Sequence, residues 1–178
     1  MAVLEAEAVA LKPLVKWAGG KRWQVPHIAR LWAGHEHRRL VEPFCGGMAI
    51  TLGLMPERAL LNDVNTHLIN LYRQVRRGWV ETFAGGNFAS DYYVARTRFN
   101  DRIRAGKADT PEAAGLFYYL NRTGFNGLCR FNSRGEFNVP FGKYKTINYQ
   151  DNFSAFREVF ARWEFTCADV AHVPIVPT

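Results

Sequence analysis

The sequence predicts an α/β fold, and three observations predict it. "RLVEPF" reads as a short buried strand, "CGG" as a turn after it, and "MAITLGL" as the apolar start of a helix. "ALLNDV" reads as a second strand. The order strand, glycine turn, helix, strand opens an α/β nucleotide-binding unit.

The elements follow in order. "NTHLINLYRQVRRG" places Leu68, Leu71, Tyr72 and Val75 on one helix face, with Gly78 as its stop. "DYYVARTRFNDRIRAG" puts Tyr92, Ala95, Phe99 and Ile103 on or near one face and arginines elsewhere. "TPEAAGLFYYLNR" opens with Thr110 and Pro111, a capped start, and is expected to bury an apolar stripe. In "YQDNFSAFREVFARW" a further helix is expected to bury Phe153, Phe156, Phe160 and Trp163. "EFTCADVAHVPIVPT" reads as one strand and the approach to another.

A chain of 178 residues with 48% hydrophobic residues can bury a core. No apolar run approaches the ~20 residues of a membrane span, and the acids in "MAVLEAEAVALKPLVKW" argue against a secretory leader. Cys45, Cys129 and Cys167 are odd in number, widely spaced and without metal-ligand patterning, so a reduced, cytoplasmic protein without a metal site is expected. The net charge is +7 and concentrated: Val94 to Lys145 holds ten Lys or Arg against four acids. A polyanion partner is expected at that segment.

Two segments point to a nucleotide-bearing ligand. In "EPFCGG" the glycines allow a tight turn and close approach of a ligand to the next helix's N-terminus. Asp63 ends the second strand, 19 positions after Phe44, where its carboxylate can accept from both ribose hydroxyls. Together they favour a ribose-bearing cofactor and leave NAD and S-adenosylmethionine both open. Upstream, "VKWAGGKRW" bends at Gly19-Gly20 between Lys16, Trp17 and Lys21.

The strip "NRTGFNGLCRFNSRGEFNVPFGKY", residues 121–144, has neither a helical nor a regular strand period. Residues 129–139 parse as a hairpin, with "CRF" and "EFNV" as arms around the turn Asn132-Ser133-Arg134-Gly135. A hairpin of this size fits a DNA major groove. Arg130 can contact guanine O6 and N7, Asn126 an adenine or a phosphate, and Leu128 and Pro140 a thymine methyl. Phe125 can wedge into the base stack, while Asn132, Asn138, Lys143 and Tyr144 suit phosphates. The competing reading is a rigid surface hairpin whose Asn side chains satisfy local backbone groups.

"LVKWAGGK", "LVEPFCGGMA", "LLNDVN" and the 121–144 strip, in this order, resemble the Dam family of DNA adenine-N6 methyltransferases, the D12 class. The match runs from about Leu14 to Lys145. It implies a Rossmann-like, S-adenosylmethionine-dependent methyltransferase domain, with S-adenosyl-L-methionine as cofactor and duplex DNA as partner. It also implies an inserted, mainly helical recognition domain ending in a β-hairpin. The expected division is residues 1–66 and 150–178 for the cofactor-binding domain and 67–149 for target recognition.

By the same resemblance Trp17, Ala18, Gly19 and Lys21 help hold the cofactor, Phe44, Gly46 and Gly47 form the loop beneath its methionine part, and Asp63 holds the ribose. Thr166, Cys167 and Asp169 fall where the family lines the adenine pocket. Lys16 is placed with the DNA contacts. Asn126, Leu128, Arg130 and Pro140 are implied as base readers, which suggests a GATC-like target. Where family loops read F-x-G-x-G, Met48 stands at the last glycine's position.

Methylation of adenine N6 requires a flipped base and fixed acceptors for the exocyclic amine. The family supplies them with a D-P-P-Y-type tetrapeptide, which this sequence does not contain. The resemblance therefore assigns no catalytic residue here. It leads us to expect a fragment of, or partner within, a complete methyltransferase, with a second polypeptide supplying the remainder as one form of it. A catalytically inactive DNA-binding remnant is the alternative reading, and RNA binding a weaker one.

Overall fold

A computed structural model describes residues 11–78, 83–149 and 153–174. Three short strands form a parallel sheet in the order β1-β2-β3, with β1 at Arg39–Glu42, β2 at Arg58–Asn62 and β3 at Trp163–Thr166. Leu40 lies beside Ala59, and Leu60 beside Glu164. Ala59 to Asn62 are all buried, as expected of the middle strand of a parallel sheet.

The helices are α1 (Val25–Trp32), α2 (Ala49–Leu54), α3 (Thr66–Arg77), α4 (Ala89–Arg104), α5 (Pro111–Thr123) and α6 (Ser154–Phe160); α3 and α6 pack on β3, and α5 packs on α3. Caps set the bounds of two of them. The Asn65 side chain accepts from the His67 and Leu68 amides at 3.1 and 3.0 Å, and Gly78 closes α3 at φ 81°. Thr110 accepts from Ala113 N–H ahead of Pro111 at the start of α5.

Leu68, Leu71, Tyr72 and Val75 are all fully buried, as their spacing predicted. Helix α5 departs from expectation. It buries every residue from Ala113 to Asn121, so it is the central post of the molecule and not a helix with one apolar stripe. Helix α4 packs Tyr92, Ala95 and Phe99 onto it.

Other expectations need correcting. Trp163 continues the Phe153, Phe156, Phe160 spacing but lies in β3, because the chain leaves the helix at Ala161; its ring N–H donates to Pro56 O at 3.0 Å. Helix α1 had not been anticipated. The hairpin arms do not form strands. Phe131 and Phe137 make one antiparallel bridge, and Asn138 N–H reaches Arg130 O at 3.1 Å. The residue 66/67 division cuts α3 at its first turn, and α3 packs against α5 as well as β3 and α6. One continuous core joins the sheet to the helices of 89–123. Residues 150–152, the start of the expected last helix, and most of "VPIVPT" lie outside the described residues.

Candidate cofactor pocket and nucleic-acid interface

The pocket forms where β1 and β2 end. After Glu42 the chain turns through Pro43–Gly47, and Cys45 N–H donates to Asn62 O at 2.7 Å, which ties the turn to β2. Gly46 has φ 45°, and a Cβ there would sit 2.7 Å from Trp17 Cδ1. At Gly47 it would sit 3.3 Å from Trp17 Cβ. The indole therefore lies directly on the glycine turn: a side chain at Gly46 would clash with it, and one at Gly47 would press on the Trp17 stem. From beneath, the buried Tyr72 hydroxyl donates to Gly46 O at 2.6 Å. Met48 adopts the left-handed conformation (φ 57°, ψ 33°) that a glycine would take without strain, and it buries its side chain completely.

The cavity measures about 350 Å³, within the range of small-ligand sites. Of the residues singled out from sequence, Trp17, Ala18, Gly19, Lys21, Phe44, Gly46, Gly47 and Asp63 all line it. Asp63 accepts from Gly46 N–H at 3.0 Å through one carboxylate oxygen and from Asn65 N–H at 2.9 Å through the other. Lys21 Nζ donates to Gly19 O at 2.5 Å.

Thr166 and Cys167 are not brought to the cavity. The Thr166 hydroxyl donates to Asn62 Oδ1 at 2.9 Å, and the Cys167 thiol faces Val64 O at 3.7 Å. Both lie at the end of β3, next to Asp63, whose N–H reaches Thr166 O at 3.4 Å. Asp169, grouped with them, caps a 3-10 turn through Ala171 N–H.

Sequence reasoning missed Glu42, Ala49 and Ile50, which also line the cavity. Glu42 was findable, because ligands of parallel sheets gather at the strands' carboxyl ends. Thr51 donates to its carboxylate through both hydroxyl and amide, and burial pushes the carboxyl above its ordinary value. A carboxylate, an ammonium and a ribose-suited acid thus share one cavity with a flat aromatic wall.

The polar strip adjoins this pocket. Asn121, 1% exposed, holds the Lys16 main chain by accepting from its N–H and donating to its carbonyl, each at 2.8 Å. The Lys16 ammonium donates to Arg122 O at 3.1 Å and lies 3.6 Å above the Tyr144 ring. A Cβ on Gly127 would come within 2.2 Å of Lys16 Cβ, so the strip presses against the pocket segment.

Phe125 is 46% exposed, and Asn126 beside it is exposed with φ 51°. Leu128 is half-buried, and Pro140 is exposed. Arg130 is exposed, with its guanidinium donating to Asn138 Oδ1 at 2.8 Å and to Asn138 O at 3.3 Å. Asn132 is committed within the turn: its Oδ1 accepts from Arg134 and Glu136 amides, and its Nδ2 donates to Glu136. Lys143 is exposed at φ 53°, while Tyr144 O accepts from Asn87.

Helix α4 supports the strip's other side. Asn100 donates to Phe137 O at 3.1 Å and accepts from Phe137 N–H at 2.8 Å, while Tyr92 and Arg96 donate to Val139 O. His67 stacks on Phe131 at 4.9 Å and meets Phe99 edge-on at 5.1 Å; burial holds its imidazole down at about 4, so it is neutral at pH 7.

The concentration of basic residues is partly neutralised by ion pairs at the chain's own surface. Arg98 and Arg102 pair with Glu112, and Arg104 and Arg134 with Glu136. Arg130, Lys143 and Lys145 remain at the strip without an acid among the ion pairs of the described residues. Those residues include no His, Cys, Asp and Glu group able to hold a metal ion, and no helix of theirs is long and apolar enough to cross a membrane.

A small parallel sheet with a cavity at its carboxyl end is consistent with an α/β methyltransferase fold. Residues 17–175 match the model of the D12 class N6 adenine-specific DNA methyltransferases, and the chain belongs to that family. It is 39% identical over 168 residues to the DNA adenine methylase of Haemophilus influenzae, covering 89% of this chain and 57% of that protein. A type II methyltransferase of Lactococcus lactis subsp. cremoris is 38% identical over 157 residues, 85% of this chain and 55% of that one. The DNA adenine methylase of Escherichia coli K12 is 42% identical over 143 residues, 75% of this chain and 49% of that one. The chain thus spans about half the length of these relatives.

Proposed function

We propose that this chain carries the cofactor-binding and target-reading parts of an enzyme that transfers a methyl group from S-adenosyl-L-methionine to adenine N6 in duplex DNA. The observation that carries the reading is the direct attachment of the Trp17–Gly46–Asp63 cavity to the 121–144 strip through Lys16 and Asn121.

The residues present fit the cofactor. Asp63 suits the ribose hydroxyls, Glu42 an ammonium and Lys21 a carboxylate, and the bare glycine turn lets a flat or extended ligand approach the backbone. Thr166 and Cys167, beside Asp63 at the end of β3, are positioned to meet the adenine if it projects past the cavity rim. Bound S-adenosylmethionine supplies an electrophilic sulfonium methyl. The chain's own contribution is to hold that cofactor rigidly and to fix its place relative to DNA.

On the DNA side, Arg130, braced by Asn138, reads a guanine, and Asn126, Leu128 and Pro140 complete a GATC-like readout. Phe125 wedges into the stack, and Lys16, Lys143 and Tyr144 face phosphates and bases at the strip's edge. Asn132 shapes the turn as well as facing the backbone. In domain terms residues 67–149 form the recognition part, with α3 shared with the sheet. Three free cysteines among the described residues support a reducing, cytoplasmic setting. A second polypeptide supplies the acceptor groups for the target amine.

The test is paired binding. We expect calorimetry to show S-adenosylmethionine binding that NAD does not displace, and a GATC duplex to outcompete single-stranded RNA. Displacement by NAD, or preference for the single strand, contradicts the reading. The inactive DNA-binding alternative would show duplex binding without cofactor binding.

A further inference from the structure

The second edge of the pocket also reaches the strip, through a different set of groups. Asp63 fixes the Asn65 amide at 2.9 Å with one oxygen while its other oxygen holds Gly46. The Asn65 side chain divides its work. Its Oδ1 caps α3, and its Nδ2 donates to Cys129 Sγ at 3.2 Å. Cys129 lies between Leu128 and Arg130, the centre of the reading segment, and burial pushes its thiol up to about 11, so it stays an uncharged acceptor at pH 7. Two residues beyond Cys129, Phe131 stacks on His67, itself two residues beyond the same cap.

We propose that Asn65 is a positioning residue that couples cofactor binding to DNA recognition through Asp63 on one side and Cys129 on the other. The inference rests on the cofactor and DNA assignments above, and neither the Asn65 cap nor the thiol is itself placed against a ligand. A ribose diol bonded to Asp63 adds partners to a carboxylate already held by Gly46 and Asn65, and so tightens the position of the Asn65 amide and the side chain beyond it. A duplex held by Leu128 and Arg130 fixes Cys129 from the opposite end. Each ligand restricts the same short chain of hydrogen bonds, so the second to arrive finds it already ordered, and the coupling is reciprocal.

The competing explanation is that Asn65 only caps α3. A linkage cycle separates the two. S-adenosyl-L-homocysteine is used as an unreactive probe, and its dissociation constant is measured with and without a saturating GATC duplex. In the unaltered chain the duplex tightens the probe by about fivefold or more, the lower end of typical coupling. Cys129→Ala, which leaves the cap intact, brings that factor to about one while each separate affinity changes by less than about twofold. Cys129→Ser, which keeps an acceptor at the same place, restores it. Asn65→Ser keeps a capping oxygen but lacks the amide donor, and it loses coupling as Cys129→Ala does.

Coupling that survives in Cys129→Ala and Asn65→Ser overturns the relay and leaves the assignment of the two sites standing. Two ligands that bind the unaltered chain independently do the same. A chain that binds neither ligand overturns the relay together with the functional reading beneath it.

Discussion

Asn121, at the end of the buried central helix, pairs with both the N–H and the C=O of Lys16, 105 residues earlier, at 2.8 Å each. One side chain thereby acts as a strand partner for the segment that carries Trp17 and Lys21. Asn100 repeats the device on Phe137 in the strip. The Lys16 segment and the Phe137 segment of the strip are therefore held by asparagines on helices, whereas Glu42 and Asp63 are set by the ends of β1 and β2.

Asn121→Ala leaves the part-buried amide and carbonyl of Lys16 without the side chain that pairs them. The cost is about 2–3 kcal/mol, at the upper end for losing buried hydrogen bonds. It should appear as a lower urea midpoint with an unchanged slope. A change within about 0.5 kcal/mol would show that the Lys16 segment is held by other contacts.

Arg130 and Lys143 should separate as reader and positioner. Arg130→Ala is expected to lower discrimination at one base pair by about 1–3 kcal/mol. Lys143→Ala should weaken all duplexes alike and reduce the salt slope by about one. Binding measured across single-base variants of the site checks both, and equal losses on every sequence for Arg130→Ala would contradict its role.

Met48→Gly sets backbone relief against lost packing. Left-handed backbone costs a non-glycine residue about 1–2 kcal/mol, whereas emptying the site of a fully buried methionine costs about 2–5 kcal/mol. A net loss of about 1–3 kcal/mol is expected in chemical denaturation. A gain would show that strain dominates at this turn.

His67 makes stability depend on pH. Its folded value of about 4 lies below the ~6.5 of an unfolded histidine, so the unfolded state takes up the proton first as pH falls. The stability this neutral ring contributes is fully present above about pH 6.5 and is lost progressively toward pH 4. His67→Phe fits among Phe99, Phe117 and Phe131 and removes the titration. The stability difference between variant and parent should therefore shift in the variant's favour from pH 7 to pH 5, and a constant difference would contradict the account.

What could be read from sequence was what local chemistry determines. Asn65 and Gly78 bracket α3, and Thr110-Pro111 starts α5, because caps and stops act within a few residues. Gly46, Gly47 and Asp63 were readable because glycines after a strand and an acid at the end of the next strand have a mechanical meaning, whereas Trp17, Ala18, Gly19, Lys21 and Phe44 were placed by the family resemblance. Helix α1 was not readable, since it has no capping side chain and buries no residue fully. Trp163 was misplaced because its spacing continues a helical period that the backbone abandons at Ala161.

The arms of the 129–139 segment resisted reading for another reason. Their backbone partners include side chains of Tyr92, Arg96 and Asn100 on α4, which no local pattern announces. The same holds for Asn121 on Lys16 and for Asn65 on Cys129.

The most direct measurement follows the methyl group. A GATC-containing duplex is incubated with methyl-labelled S-adenosylmethionine and the chain, together with any polypeptide that copurifies with it, and then hydrolysed to nucleosides. The account predicts label in N6-methyladenine at one sequence, lost in Asp63→Ala, with the sequence preference relaxed in Arg130→Ala. Label in cytosine, or none in adenine, would contradict it.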